Sequence, residues 1–231
     1  MTGDGLFASY AYPPNELGYC GPADTAVDQL AAHASEFDGA WPYLLAIADG
    51  AGVGDPLDTD VVRNYWIGGR LLDKVDGAQL LARLREAFSG QVTGLLADLS
   101  GPDRVLAHHS FHVFVVYPWI RFLDRDPATP LRVMQSCRIR WGTVDAVHDD
   151  HATIMSRPLI LAGSELRLGD PVAEHVRWNQ SGTMSAARPT PGQAVTAHWD
   201  WLCGALTDDE VAALELATGT TLDLVNRARR A

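Results

Sequence analysis

Hydrophobic positions recur at helical spacing through the first half of the chain, then alternate in short runs through the second. Val27, Leu30, Ala31 and Ala34 form a stripe of period 3.6. Pro22 suits the start of that helix, where its missing N–H costs nothing. Residues 40–49, AWPYLLAIAD, predict a short apolar helix that stops at GAGVGDP. Asp58 is placed to cap the next helix, beginning TDVVRNYW and interrupted by Gly68 and Gly69. Asp76 can start another through residues 77–89, with Leu80, Leu81, Leu84 and Phe88 on one face. The stretch HHSFHVFVVYPWIRFL, residues 108–123, suits either a helix or a strand.

The character changes at DRDPATPL, residues 124–131, which reads as a linker. Beyond it come VMQSCRIRWGTVDAV, HATIMSRPLIL, PVAEHVRW and AVTAHWDWLC, short β-rich runs separated by turn residues. Gly142 inside the first of them predicts a bulge or bend. Strands of this length and spacing predict a small barrel. In the final segment Thr207 and Glu210 have capping-box spacing, with Asp208 and Asp209 in the first turn. Gly219 is expected to divide that segment into two short helices. The expected fold is α+β. Residues 1–125 form a mainly helical domain, and residues 132–231 form a small OB-like β-barrel with C-terminal helices.

Composition narrows the function. The 231 residues carry 18 basic and 29 acidic side chains, a net charge of −11. That balance argues against nucleic acid, because phosphate binding needs a positive footprint. The three cysteines are too few and too irregular for a disulfide framework. The start, MTGDGLFASYAYPPNELG, lacks the basic and apolar regions of a signal peptide, and no apolar run is long enough for a transmembrane helix. A cytoplasmic protein without a membrane partner is expected. Neither a G-x-G-x-x-G, a P-loop nor a G-x-S-x-G motif is present, which removes the case for a nucleotide enzyme or a serine hydrolase. The balance favours a protein that is not an enzyme.

The chemistry-bearing side chains fall in three places. In HHSFH, residues 108–112, His108 and His112 share a helical face if the segment is helical, as do His109 and His112. Such a pair can bind zinc or iron, with a further ligand from His33, Cys20, Glu16 or Asp24. The competing reading is a core-facing aromatic or interface segment. Cys20 sits in the turn-rich loop YPPNELGYCGPAD, residues 12–24, ahead of a helix whose dipole would lower its pKa; it can equally be part of a tight structural turn. Cys137 opens a strand-like run, and His198 alternates with Thr196 and Asp200 on a polar face that points to solvent. Asp200 is a candidate support for His198. Cys203, at the end of that strand, reads as structural.

The order Cys137-Arg138-Ile139-Arg140-Trp141-Gly142-Thr143-Val144, then Pro191-Gly192-Gln193-Ala194-Val195-Thr196-Ala197-His198, then LTDDEVAALELAT, resembles the HypC/HupF family of hydrogenase maturation chaperones. The likeness covers residues 134–220. It implies a HypC-like barrel and a non-enzymatic role in [NiFe] hydrogenase maturation or assembly. It also implies partnership with a hydrogenase large subunit or a HypD-like maturase. Cys137 would hold iron carrying cyanide and carbonyl ligands, and His198 would serve as second ligand, base or orienting group. A thiolate suits low-spin iron, with Arg138, Arg140 or His198 available to lower its pKa. The chain departs from the family in three respects. Its cysteine is internal, Trp141 replaces the proline of the family's Pro-Gly pair, and NQSGTMSAARPTP, residues 179–191, is extra. The alternative is a metal-dependent enzyme or metal-binding protein centred on His108, His109 and His112. A third reading is an adaptor with a relic barrel and no metal.

Overall fold

The computed structural model describes residues 1–102, 105–180, 184–185 and 187–230. Helix α1 (Gly3–Glu16) starts on Thr2, whose hydroxyl accepts from the Gly5 N–H at 3.3 Å. A 3-10 helix follows at Val27–Glu36, so Pro22 lies ahead of a helix rather than in its first turn. Helix α2 (Trp41–Ala51) stops on Gly52 at φ 71°, a left-handed cap that favours glycine. Helices α3 (Thr59–Trp66) and α4 (Gly77–Ala87) begin on Asp58 and Asp76, whose carboxylates accept from Asp60 and from Ala78 and Gln79 respectively. These caps and bounds follow the sequence pattern because each is decided within one turn.

Residues 108–123 resolve as helical. One α-turn, α5 (His109–Phe111), runs into a π-turn at His112–Val116, closed by the Tyr117 N–H on the His112 carbonyl at 2.9 Å. Phe111, Val113, Phe114 and Val115 are fully buried, so this β-branched segment lies at the centre of the helical packing. Two further elements differ from expectation. The turn-rich residues 12–16 are the last turns of α1, with Pro13 and Pro14 inside it. Each proline removes an N–H from the helix ladder and frees a carbonyl four residues back. Residues of the expected linker open helix α6 (Ala128–Cys137), so Cys137 ends a helix instead of starting a strand. Pro130, Val133, Met134 and Cys137 form its buried stripe.

Strand β1 (Arg140–Val147) pairs with β2 (His151–Ser156), and the hairpin of β3 (Leu159–Ala162) and β4 (Glu165–Leu168) follows. Next come β5 (Val172–Arg177), the short pair β6 (Asn179–Gln180) and β7 (Met184–Ser185), then β8 (Ala194–His198) and β9 (Trp201–Ala205). Of the expected insertion at 179–191, residues 181–183 and 186 lie outside the described residues. The main sheet is five-stranded and mixed, in the order β1-β2-β5-β9-β8, and β8 bonds back to β1 so that it closes on itself. The β5–β9 pairing is parallel and the others are antiparallel. The bulge in β1 falls between Val144 and Ala146 rather than at Gly142. Gly142 instead permits close approach, since a Cβ there would sit 2.5 Å from the Met155 carbonyl oxygen.

Helix α7 (Asp208–Arg230) is continuous through Gly219, contrary to the expected break. The capping box forms as predicted: the Thr207 N–H donates to the Glu210 carboxylate at 2.8 Å, and the Glu210 N–H donates to the Thr207 hydroxyl at 3.3 Å. Val144, Ala152, Ile154, Val176, Val195, Ala197 and Leu202 fill a small core within the closed sheet. The larger core is shared. Phe7, Tyr10, Tyr43, Tyr65 and Phe114 pack in the same cluster as Met134, Cys137, Ile139, Trp201, Cys203, Leu214 and Leu222. Helix α1 lies on the β8–β9 side of the sheet, where the Tyr10 hydroxyl meets the Thr196 hydroxyl at 2.8 Å. Among the described residues no helix is long and apolar enough to cross a membrane.

Candidate metal centre

The candidate centre lies where these two layers meet. Arg140 builds it. Its Nη1 donates to the Gln135 and Ser136 carbonyls at 3.2 and 3.1 Å, at the C-terminal end of α6. Its Nη2 donates to the Trp199 carbonyl in the β8–β9 turn, and its Nε faces the Glu174 carboxylate at 3.2 Å. The Trp199 N–H also donates to the Ser136 carbonyl at 2.8 Å. These bonds tie the residue before Cys137 to the residue after His198. The turn itself is tight: Trp199 sits at φ 52°, stacked on Tyr19 at 4.4 Å, and His198 pairs directly with Trp201. The expected single strand through HWDWL is therefore a hairpin corner.

Cys137 and His198 come together in this way, and a third residue joins them from α5. One ligand atom each from His109, Cys137 and His198 lies within 4.8 Å of the others, and all three residues are buried. His198 is 1% exposed and Thr196 is fully buried. Strand alternation assigned that face to solvent, but α1 covers it. His112 lines the same small cavity with Cys20, Gly39, Tyr65 and Trp66. The cavity holds about 20 Å³, room for a single water-sized or ion-sized occupant.

Hydrogen bonds set the ring chemistry. Pro14 has no N–H to offer the Tyr10 carbonyl, which instead lies 2.7 Å from His198 Nδ1. A carbonyl only accepts, so Nδ1 carries the proton and His198 Nε2 keeps its lone pair. Among the described residues that Nε2 is buried with no hydrogen-bond partner. This matches the way metal-ligating imidazoles are oriented by a backbone carbonyl on the far nitrogen. His109 is held at both ends, by the Tyr65 hydroxyl on Nδ1 at 2.9 Å and by the Cys137 carbonyl on Nε2 at 2.9 Å. It must release one of these bonds to ligate.

Burial sets the charge state. It depresses the His109 pKa to about 4 and holds His112 and His198 well below the ordinary imidazole value. Burial also pushes the Cys137 thiol well above its ordinary value, with Cys20 adding to the rise. The expected lowering by Arg138 and Arg140 does not occur. Arg138 is engaged with Gln135 and the Arg157 carbonyl, and Arg140 with the bonds described above. At neutral pH the site thus presents neutral imidazoles with lone pairs and one neutral thiol. A divalent ion would displace the thiol proton and gain an S/N donor set suited to zinc, iron or cobalt. Bond lengths of 2.0–2.3 Å give donor separations of roughly 3.3–3.8 Å in a tetrahedron. The cluster must contract by about 1 Å to close on an ion. The lone pair of His198, the thiol and the occupant-sized cavity fit a metal; His109 fits after exchanging one hydrogen bond.

The remaining sequence candidates lie elsewhere. His108 Nδ1 accepts the Ser110 N–H at 3.0 Å and caps α5, away from the cluster. His33 pairs with Glu36 at the surface. Glu16 binds Trp201 Nε1 at 2.9 Å and Arg177 at 2.7 Å. Asp24 is exposed at φ 57°. Asp200 pairs with Arg177 at 2.8 Å and gives His198 no support. Cys20 meets the Tyr117 hydroxyl at 3.2 Å, and burial raises its pKa, opposite to the expected dipole effect. Cys203 is buried, as expected of a structural thiol, with its pKa pushed up by burial to about 12. His109 was visible only as a partner of His112, because its convergence with Cys137 and His198 depends on chain segments far apart in sequence.

The chain belongs to the DUF6390 family, a family of unknown function whose match spans residues 1–231. No curated protein and no solved structure matches it significantly.

Proposed function

We propose that this protein is a non-enzymatic metal-holding accessory protein of [NiFe] hydrogenase maturation or assembly. Cys137, His198 and His109 would hold one first-row metal ion, iron on the strength of the HypC/HupF resemblance. The observation that carries the metal reading is the convergence of the three side chains around an occupant-sized cavity, with an orphaned lone pair on His198. The hydrogenase reading rests on the ordered resemblance: cysteine, histidine strand, acidic helix. The closed sheet followed by a capped helix supports a HypC-like barrel.

Burial refines the role. Cys137 is 3% exposed and His198 1%, so neither forms a docking face. The metal would be resident, and a hydrogenase large subunit or HypD-like maturase would dock on other surfaces. A separate centre on His108, His109 and His112 is disfavoured, because His108 is engaged in capping and points to another partner set.

The test is anaerobic purification of the full chain from its native host, wild type beside Cys137→Ala. Metal content and co-purifying proteins would be measured together, with an infrared search for cyanide and carbonyl bands. About one iron per chain, lost in the variant, with a hydrogenase-related partner supports the proposal. Metal without such a partner retains the centre and removes the hydrogenase role. Wild-type protein that stays metal-free after anaerobic iron loading refutes the centre.

A further inference from the structure

Helix α1 presents Ala11 and Pro14 to the histidine cavity and a different stripe, Gly5, Ala8, Ser9 and Tyr12, to a larger one. The larger cavity is a groove of about 840 Å³ between α1, residues 24–28, residues 187–189 and strand β9. That volume lies within the roughly 300–1,000 Å³ of small-molecule sites. The groove shares no lining residue with the histidine cavity.

Small residues hold it open. Gly204 in β9 lines the groove, and a Cβ there would meet nothing within 4 Å. Its backbone is not in the left-handed region, so conformation does not require glycine. The bulge in β9 falls at Cys203, which the β8–β9 register skips, and that bulge needs no glycine at 204. A strand glycine with neither a conformational nor a packing reason marks a place where another molecule approaches the backbone. Gly5 on α1 is similar: an added Cβ would make only ordinary contacts, 3.4 Å to Met1 and 3.5 Å to Thr2.

The lining is apolar in its depth and charged at its rim. Ala8, Leu202 and Cys203 line the groove while at most 7% exposed. Asp24, Asp28 and Arg188 line it from exposed positions. Among the described residues neither aspartate takes part in an ion pair. The Arg188 guanidinium lies over the Trp178 ring at 5.4 Å. Two carboxylates against one guanidinium engaged with a ring leave the rim negative, which favours a cationic ligand.

We infer that this groove binds a small organic cation. The ligand is an amine whose apolar body rests on Ala8, Leu202 and Cys203 and whose charged head meets the carboxylates of Asp24 and Asp28. The inference stands apart from the metal reading, because the two sites share no residue.

The test uses 4-phenylbutylamine as the probe, with neutral 4-phenylbutanol and anionic 4-phenylbutyrate as its isosteres. Each is titrated into the full isotope-labelled chain and followed by amide chemical shifts. The amine should give saturable shifts in α1, residues 24–28 and β9, at least tenfold tighter than the alcohol, with the acid weaker still. Gly204→Val places a β-branched side chain in open space, so its urea midpoint should stay at or above that of the wild type while the amine weakens at least tenfold. Asp24→Asn with Asp28→Asn should bring the amine to the affinity of the alcohol and leave the alcohol unchanged. Arg188→Gln should leave the amine unchanged or tighter. Absence of saturable shifts at the groove, or undiminished binding in folded Gly204→Val, would overturn the site. Alcohol or acid binding as tightly as the amine, or an amine weakened by Arg188→Gln, would overturn the cationic class.

Discussion

Four histidines buried as neutral rings make the protein acid-sensitive in a window of its own. His108, His109, His112 and His198 are each at most 5% exposed. Burial depresses the first to about 3, the second to about 4, and the other two well below 6.5. In the unfolded chain each returns to about 6.5, so below that pH the unfolded state binds protons that the folded state refuses. The folded-state pKa is depressed, so the stability is fully present above pH 6.5 and is lost as pH falls toward the folded values. At pH 5 each ring costs about 2 kcal/mol relative to pH 8, and the four together cost about 8 kcal/mol. That compares with a total stability of about 5–15 kcal/mol for a typical domain. Carboxylates enter later. Burial raises the Glu16 carboxyl, but bonds from Trp201, Arg177 and Tyr12 outweigh it and hold the pKa below 4.5. The assay is urea unfolding of metal-free protein from pH 8 to pH 5, followed by tryptophan fluorescence. The dependence on pH should approach four protons per molecule near pH 5.5, and His112→Phe should reduce it by one. A slope below two protons in the wild type would refute the picture of four dry, neutral rings.

Cys137→Ala should leave the fold in place at a cost of about 1–2 kcal/mol, yet abolish the sulfur-to-metal absorption of the Co²⁺ form. Because the thiol is protonated in the metal-free protein, Co²⁺ affinity measured by titration calorimetry should rise about tenfold per pH unit between pH 6.5 and 8. Arg140→Met strands the Glu174 carboxylate and the carbonyls at the end of α6; about 3–5 kcal/mol of stability should disappear from the urea midpoint, with metal binding weakened alongside. Gly219→Ala should stabilise by roughly 0.5–1 kcal/mol in thermal or urea melts, because Gly219 is an exposed interior position of one helix with open space around it. Destabilisation there would indicate the broken helix that the sequence pattern suggested.

What could be read from the sequence follows the range of the forces involved. Asp58, Asp76 and the Thr207–Glu210 box act within one turn, and each caps the helix its position indicates. Helix α6 was obscured because Pro127 and Pro130 resemble linker punctuation, although Pro130, Val133, Met134 and Cys137 already carry helical spacing. The α1 prolines misled similarly: a helix tolerates them in its final turns when another group takes the freed carbonyl, here His198. Alternation placed His198 outward because a lone strand has one wet face, and nothing local records that α1 covers it. Arg140, which brings Cys137 beside His198, reads in the sequence as one charge among many. Its role depends on carbonyls at Gln135, Ser136 and Trp199 that only the fold assembles.

The positions of the three ligands bear on what a metal here would do. His109 comes from α5, Cys137 from the end of α6 and His198 from the end of β8, so the site does not exist until helical layer and closed sheet have packed together. An ion bound there links segments far apart in sequence and stabilises the assembled state by about 2.7 kcal/mol at one hundred times its dissociation constant. Release is coupled to the same packing. With the thiol and both rings buried, release of an ion would require the packing around the site to open locally. A carrier that hands metal to a partner needs a ligand at its surface, whereas this geometry favours retention.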